Sequence, residues 1–244
     1  MEQIENRAET GSQTLATSIA SRLRAQITGG DIPPGEKLRL DDLRASFGVS
    51  LSPLREALSR LSAEGFVVME DQRGYRVAPV SENNLLEVTK LRSEIESFAL
   101  RESIRLGNDK WESELVASQY RLSKLEKTEP DSGRLAEWEN AHRELHQKLL
   151  SACHMPLLLQ FCATLHDLSD RYRRLFLEDH PIDRDVSQEH DNIVRATLER
   201  RADDACAMLK VHIERTGNNV LAALMQRRTP QAATASAQAA AERV

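Results

Sequence analysis

The sequence predicts a mainly α-helical protein of two parts: three helices and a hairpin over residues 13–80, then an all-helical bundle over residues 81–225. Three observations support this. Apolar residues recur at helical spacing along most of the chain. Short runs typical of strands occur only between residues 66 and 78. Short polar segments that are rich in turn-forming residues interrupt the second part at intervals of about one helix length.

The first helix is predicted by apolar residues that recur at every fourth position, namely Leu15, Ile19, Leu23 and Ile27. Gly29 and Gly30 end this helix, because glycine is the preferred residue just after a helix. Residues 1–12 are polar and lack apolar periodicity, which predicts a flexible N-terminal arm.

Two further helices are predicted on either side of a tight turn. Leu40–Phe47 forms a short helix, Gly48 suits a left-handed cap, and Ser50 can cap the next helix. The third helix has a buried stripe at helical spacing, formed by Leu54, Leu58 and Leu61.

A two-stranded hairpin completes the first part. Phe66–Met69 and Tyr75–Ala78 read as strands that flank the turn Glu70–Gly74. Three helices and a hairpin make a winged helix-turn-helix. Residues 13–80 hold 9 Lys+Arg against 8 Asp+Glu, whereas residues 81–225 hold 20 against 26. Any contact with nucleic acid must therefore come from a few well-placed arginines.

The second part reads as six helices separated by five breaks. The breaks fall at Gly107–Asp109, Pro130–Gly133, His154–Pro156, His180–Asp183 and Arg201–Asp203. From residue 226 to residue 244 the chain is rich in Ala, Gln and Ser and has little to bury, which predicts a disordered tail.

Four histidines of the second part predict a metal site. His142 and His146 are four residues apart and share one helical face, where they can bind one ion. His190 and His212 each lie eleven residues from Arg201, so in an antiparallel hairpin both lie roughly 16 Å from the turn. Four imidazoles suit zinc or a similar divalent metal. The alternative for any single histidine is a hydrogen-bonded core residue.

The other histidines and the cysteines are expected to have ordinary structural roles. His154, His166 and His180 do not fit the pattern and read as surface or core residues. The three cysteines are scattered among helix formers and read as buried apolar residues rather than disulfides; they are Cys153, Cys162 and Cys206. No run is long enough to span a membrane and no secretory signal is present, so a cytoplasmic location is expected.

Motifs of the first part resemble the GntR family of bacterial transcription regulators. They are Pro34–Leu38, Phe47–Leu58, Leu61–Gly65 and Gly74–Val77. The resemblance covers residues 14–80. It implies that the third helix enters the major groove of double-stranded DNA and that the hairpin, or wing, reaches the minor groove. The contacts it implies are Ser50, Leu51, Ser52 and Arg55 on the third helix, and Arg73 and Gly74 at the wing.

Two positions depart from that family pattern. Leu51 and Asp41 stand where the family often carries arginines. Base recognition is therefore expected to be weaker or to favour another sequence, and Leu51 can instead contact a thymine methyl group. The alternative for Arg55 is an ion pair with Glu56 on the helix surface.

The second part resembles the ligand-binding domain of the FadR branch of the family, the FCD domain, in its six-helix, VanR-like version. His146, His190 and His212 match metal histidines of that domain within their local motifs. His142 stands where the family usually has Asp or Asn, which shifts the expected metal toward zinc or nickel. Glu139, one turn earlier, is expected to bind the metal or to orient an imidazole.

The resemblance also implies an organic acid bound beside the metal. Arg92 matches an arginine that can face the cavity of the family, and Arg171 or Arg173 can add a second contact to a carboxylate. Arg92 has the alternative of an ion pair with Glu96, and residues 171–174 have the alternative of a solvated face.

The sequence as a whole predicts a homodimeric transcription regulator, a repressor that binds palindromic operator DNA and responds to a small carboxylate. An alternative is a helical metal hydrolase or oxygenase, because Glu139 and His142 have ExxH spacing. Only one such pair occurs where a dinuclear bundle needs two. A third reading is a constitutive DNA binder with a structural metal, which differs in that metabolites leave DNA affinity unchanged.

Overall fold

The computed structural model describes residues 14–71, 73–126, 132–177 and 186–241; within these ranges, side chains are described outside residues 132–136, 176–177 and 228–241. The chain divides into two compact units after Pro79, one residue before the boundary expected from the sequence. The predicted arm at residues 1–12, the break near Pro130 and the break His180–Asp183 lie outside the described residues.

The described residues of the first unit form three helices and a small sheet. In chain order these are α1 (Leu15–Gly29), β1 (Lys37–Leu38), α2 (Leu40–Phe47), α3 (Leu51–Ala63), β2 (Val67–Glu70) and β3 (Gly74–Val77). The strands pair antiparallel in the order β1-β3-β2. The winged helix-turn-helix is confirmed, and the bounds of α2 agree with those predicted. β1 was not predicted, because two residues are too short to show an alternating pattern.

Helix α1 begins and ends as its sequence indicates. The hydroxyl of Thr14 accepts a hydrogen bond from the backbone N–H of Thr17 at 3.2 Å, and Gly30 ends the helix in the left-handed conformation. Leu23 is fully buried, as the apolar stripe predicts, but Leu15 is 54% exposed. Apolar periodicity shows which face of a helix is buried, but it does not show how far along the helix the packing against other elements extends. The buried stripe therefore begins at Ile19, one turn later than predicted.

Helix α3 is anchored by its predicted stripe. Leu54, Leu58 and Leu61 are fully buried. Gly48 has φ +66°, a conformation that L side chains rarely adopt, and this allows the tight turn between α2 and α3. Ser50 occupies the cap position of α3, but its side chain makes no capping hydrogen bond.

The described residues of the second unit form the six predicted helices. They are α4 (Glu82–Leu106), α5 (Asp109–Glu126), α6 (Ser132–Leu150), α7 (Pro156–Leu177), α8 (Val186–Leu198) and α9 (Ala202–Ala241), with a 3-10 turn at Ser151–Cys153 after α6. Helix α4 packs against α6, α7 and α9, while α5 packs on α6 and α8 on α9. The predicted cap Ser81 accepts a hydrogen bond from the N–H of Asn84 at 3.0 Å.

Close contacts hold α4 in the middle of this bundle. Gly217 of α9 lies so close to α4 that an added Cβ would come within 2.5 Å of the Thr89 hydroxyl. Tyr172 of α7 is fully buried, and its hydroxyl donates to the Asn84 side chain at 2.9 Å and accepts from the Ser81 N–H at 3.2 Å. The start of α4 is thereby fixed to α7.

Helix α9 corrects one expectation. It runs to Ala241, so its backbone is helical where the sequence predicts a disordered tail from residue 226. The prediction weighed the lack of residues to bury, whereas alanine, frequent here, has the highest intrinsic helix propensity.

Two other expectations concern the cysteines and the membrane. Cys153, Cys162 and Cys206 are buried and free, as predicted. Among the described residues, no helix has the length and apolar character needed to cross a bilayer.

Candidate metal centre and DNA-binding surface

Three helices bring four buried histidines together in the second unit. Helix α6 supplies His142 and His146, α8 supplies His190, and α9 supplies His212. One nitrogen of each ring lies within 4.8 Å of the others. The rings of His190 and His212 are 4.8 Å apart between centroids, as expected for two residues equally distant from one helical turn. The structure thus assembles the set that the sequence pattern singled out.

A glutamate stands behind each of three histidines. The Nδ1 of His212 lies 2.8 Å from the carboxylate of Glu189, and the Nδ1 of His190 lies 3.3 Å from that of Glu126. Glu96 lies behind His146 at a longer distance, 3.8 Å. A carboxylate that accepts a hydrogen bond from one ring N–H leaves the other nitrogen free to coordinate a metal, as is usual for metal-bound histidines.

His142 is held in a different way. Its ring stacks on Trp138, with centroids 4.9 Å apart and planes 18° apart, and the guanidinium of Arg173 lies 5.3 Å from the Trp138 ring. Stacking on the indole fixes the plane of the imidazole without using either of its nitrogens.

The centre satisfies the chemical requirements of a cation site. Burial lowers the pKa of His142 well below its usual range, and the neighbouring His146 and Arg173 lower it further. Burial also lowers the pKa of His146, against the opposing effect of Glu96. Both rings are therefore neutral, which is the form that binds metals. Buried ring nitrogens lack a hydrogen-bond partner at His142, His146 and His190. Such nitrogens are costly to bury unless something binds them, so the residues present fit a divalent ion.

A fifth histidine, His166, belongs to the same cluster, which the sequence analysis did not foresee. Its ring lies 5.3 Å from that of His146, and His166, His146 and Glu96 form a second group with closely spaced ligand atoms. However, Arg92 approaches the Nδ1 of His166 at 3.1 Å, and the Nε2 faces Asp170 at 3.5 Å. Arg92 therefore contacts Nδ1, whereas the buried Nε2 near Asp170 has no hydrogen-bond partner, so His166 joins two charged groups and keeps one ring nitrogen unbonded. Its i,i+4 spacing to Asp170 is the signal that could have revealed this.

Arg92 lies beside the centre and is already paired. It donates to Glu96 at 2.7 Å and to the hydroxyl of Ser169 at 2.8 Å, besides its contact with His166. Burial raises the pKa of Glu96, but Arg92 and the histidines outweigh this and hold the pKa at about 2. The ion pair considered as the alternative for Arg92 is therefore present, and it lies immediately behind the histidines.

Glu139 and Arg173 form a second buried ion pair. Arg173 donates to both carboxylate oxygens of Glu139 and, at 3.0 Å, to Asp170. Arg143 also contacts Asp170. Asp170 has its pKa lowered despite its burial, because His166, Arg173 and Arg143 surround it. Glu139 therefore pairs with an arginine in this structure, and its role toward a metal or an imidazole stays a prediction.

The arginines of α7 do not form a solvated face. Arg171 is 1% exposed and lies over the Tyr172 ring at 5.2 Å, and Arg173 is 6% exposed. Helix α7 packs against α4 and α9, so positions that look polar in the sequence lie in the interior. Because an isolated buried charge is very costly, the carboxylates of Glu139 and Asp170 accompany Arg173.

Two cavities adjoin the histidines. One, of about 240 Å³, lies between α4, α6 and α7 and is bordered by Glu96, His146, Cys162 and His166. The other, of about 300 Å³, lies between α8 and α9 and is bordered by Glu189, His212 and Arg215. Neither is bordered by the residues expected to hold an organic acid, which are Arg92, Glu139, Arg171 and Arg173. Arg92 is linked to the first cavity through its partners Glu96 and His166, which border that cavity.

The residues expected to contact DNA lie at the surface of the first unit. Ser50, Ser52 and Arg55 are exposed and Leu51 is half-buried at the start of α3. Within the part of the chain described here, Arg55 has no ion pair; Glu56 instead pairs with Arg60. The alternative pairing considered for Arg55 is therefore absent from this structure.

The wing presents a further exposed arginine. Arg73 precedes β3, and Gly74 follows it with φ +91° and open space where a side chain would lie. A glycine here lets the backbone turn sharply and leaves room for a close approach.

Comparisons with known proteins agree with this division. The family description "Bacterial regulatory proteins, gntR family" matches residues 15–77, and the "FCD domain" matches residues 87–215. The uncharacterized HTH-type transcriptional regulator BphR of Paraburkholderia xenovorans is 36% identical over 83% of this chain and 83% of its own length. The HTH-type transcriptional repressor GlaR of Escherichia coli is 34% identical over 78% of this chain and 89% of its own length.

Solved structures are similar as well. A transcriptional regulator of the GntR family from Pseudomonas syringae shares 26% identity, covers 88% of both chains and has a TM-score of 0.55. Escherichia coli McbR/YncC has a TM-score of 0.71 at 20% identity, covering 88% of this chain and 99% of its own, and this likeness concerns the fold.

The chain belongs to the GntR family of bacterial regulatory proteins and carries the FCD domain of that family. It is a DNA-binding transcription regulator and not an enzyme, since the family and these relatives are regulators. The metalloenzyme alternative is thereby set aside.

Proposed function

We propose that this regulator is a metabolite-responsive repressor whose FCD domain holds a divalent metal, zinc or nickel, and binds a small carboxylic acid beside it. The observation that carries the proposal is the group of four buried, closely spaced histidines, with ring nitrogens left unbonded at His142, His146 and His190. The repressor assignment is supported by the name of the relative GlaR, a transcriptional repressor.

The metal would be held by His142, His146, His190 and His212. When bound, it supplies a positive charge that attracts a carboxylate. The chain's own residues prepare this site: Glu126 and Glu189 orient two imidazoles, Glu96 stands behind a third, and Trp138 fixes the plane of the fourth. An imidazole carries no charge when it binds a metal, so a ligand set of four imidazoles would leave the charge of the ion uncompensated, which favours an anionic partner.

The acid is proposed to enter the 240 Å³ cavity at His146. A carboxylate there lies close to the metal site and to the Glu96–Arg92 ion pair. The guanidinium of Arg92 has five N–H donors, so it can bind a second carboxylate while it keeps Glu96 paired, and the ion pair provides a second point of recognition.

Binding is tested by thermal shift with a panel of di- and tricarboxylic acids. We expect at least one acid to raise the melting temperature of the zinc-loaded protein, because a ligand that binds only the native state stabilises it by mass action. The chelator-treated protein and the Arg92→Gln variant should respond less. If no acid stabilises the zinc-loaded protein, or if hits act equally on all three samples, the carboxylate proposal fails.

We also propose that the protein acts as a homodimer on a palindromic operator. One winged helix makes a small contact, and a two-fold dimer lets two such units read neighbouring half-sites. Light scattering is expected to give twice the 27.5 kDa chain mass. A monomer that binds an isolated half-site as tightly as the full operator would rule this assembly out.

A further inference from the structure

Arg39 is an exposed arginine at the junction of β1 and α2. It occupies the cap position of α2, and its side chain makes no capping hydrogen bond. Helices prefer Ser, Thr, Asp or Asn there, because those side chains accept a hydrogen bond from the first turn. An arginine has no acceptor atom and cannot do so. A residue that weakens its own helix without a compensating contact is a candidate for function.

Arg39 also differs from most arginines of its unit in charge pairing. Five others have a carboxylate or ring partner: Arg22 with Phe47, Arg24 with Glu64, Arg44 with Asp41, Arg60 with Glu56 and Arg76 with Glu70. Within residues 14–71 and 73–126, no such partner is found for Arg39. Its charge is therefore available to an outside group.

The strand register places Arg39 at the wing. Leu38 pairs with Tyr75, and Arg39 continues in an extended conformation, with φ −78° and ψ 122°, so the next position across the ladder is Gly74. Successive residues of a strand point to opposite faces. Since Leu38 is buried, Arg39 points to the solvent face, opposite a glycine that has no side chain. Arg73 immediately precedes that glycine.

We propose that Arg39 contacts the phosphate backbone of DNA and, with Arg73, forms a pair of cations on either side of Gly74. This rests on the proposed function, in which α3 and the wing face DNA. Exposed cations without internal partners bind phosphates with release of condensed counterions. A phosphate is favoured over a base edge because Arg39 lies outside α3, the helix expected in the major groove.

The test measures binding of the full-length protein to a short mixed-sequence duplex over a series of salt concentrations. In the Arg39→Ala variant, the slope of log affinity against log salt should become shallower by about 1, because one phosphate contact is lost. Arg39→Lys should keep the wild-type slope. Arg44→Ala is the matched control, because Arg44 lies on α2, the helix that Arg39 precedes, but already faces Asp41 at 3.6 Å.

A second variant separates a DNA contact from a structural role. Arg39→Ser restores a capping side chain, so it should raise the melting temperature while lowering DNA affinity as Arg39→Ala does. If the wild-type protein binds the duplex and both variants keep the wild-type slope, the proposed role of Arg39 is wrong, but the proposed DNA-binding surface is not affected. A wild-type protein that shows no salt-dependent binding to the duplex overturns the proposed DNA-binding surface as well.

Discussion

Replacing His190 with alanine is expected to abolish metal binding. Purified wild-type protein incubated with zinc should contain about one divalent ion per chain, as in structural zinc sites with four protein ligands. The variant leaves three ligands and removes the ring that Glu126 orients. The His146→Ala variant should lose the metal too. Elemental analysis after gel filtration measures the loss directly.

His154 offers a matched control for this experiment. It is exposed, lies outside the four-histidine group and has φ +53°, a conformation that asparagine tolerates. His154→Asn should therefore keep the full metal content. Metal retained in both the His190 and the His146 variants, or absent from zinc-treated wild type, would show that the histidines are ordinary core residues.

Replacing Arg55 with alanine is expected to lower operator affinity by about 1 to 3 kcal/mol, roughly 5- to 150-fold, if this arginine reads a base. Its exposed side chain on α3 has no internal ion pair among the described residues. The affinity is measured by titration against a site selected from a random DNA pool, at fixed salt, with circular dichroism to verify folding.

Arg55→Lys distinguishes base reading from simple charge attraction. Lysine keeps the charge but not the planar fork that binds guanine with two hydrogen bonds. We expect the lysine variant to lose discrimination between the selected site and a mutated one. Wild-type affinity of a folded Arg55→Ala variant would exclude Arg55 from the interface.

Much of the first unit can be predicted because its signals are local. The bounds of α2, the turn at Gly48 and the stripe of α3 follow from residues close together in the sequence. Strand β1 cannot be predicted in this way, since it is defined only by its pairing with β3, whose residues lie 37 and 39 positions further along the chain.

The four-histidine group can also be predicted, because two members share a helical face and two are equally distant from a turn. What surrounds the group cannot. Glu126 and His190 are 64 residues apart, and the sequence around each residue does not indicate that the two are in contact. The same holds for Arg92 and His166, which are 74 residues apart. Burial excludes the alternative of a solvated face for Arg171 and Arg173, because α7 packs against α4 and α9 and these side chains face the interior.

The central claim, that the metal-containing domain controls DNA binding, is tested most directly by one titration. The affinity of zinc-loaded protein for its selected DNA site is measured with and without a carboxylic acid that scores in the thermal-shift panel, alongside the His190→Ala variant. An effector of this kind commonly changes affinity by about 1 to 3 kcal/mol. We expect the acid to weaken DNA binding of the wild type by a factor in that range and to leave the variant unchanged. Equal affinities with and without the acid in the wild type would contradict the proposal and identify a constitutive DNA binder with a structural metal.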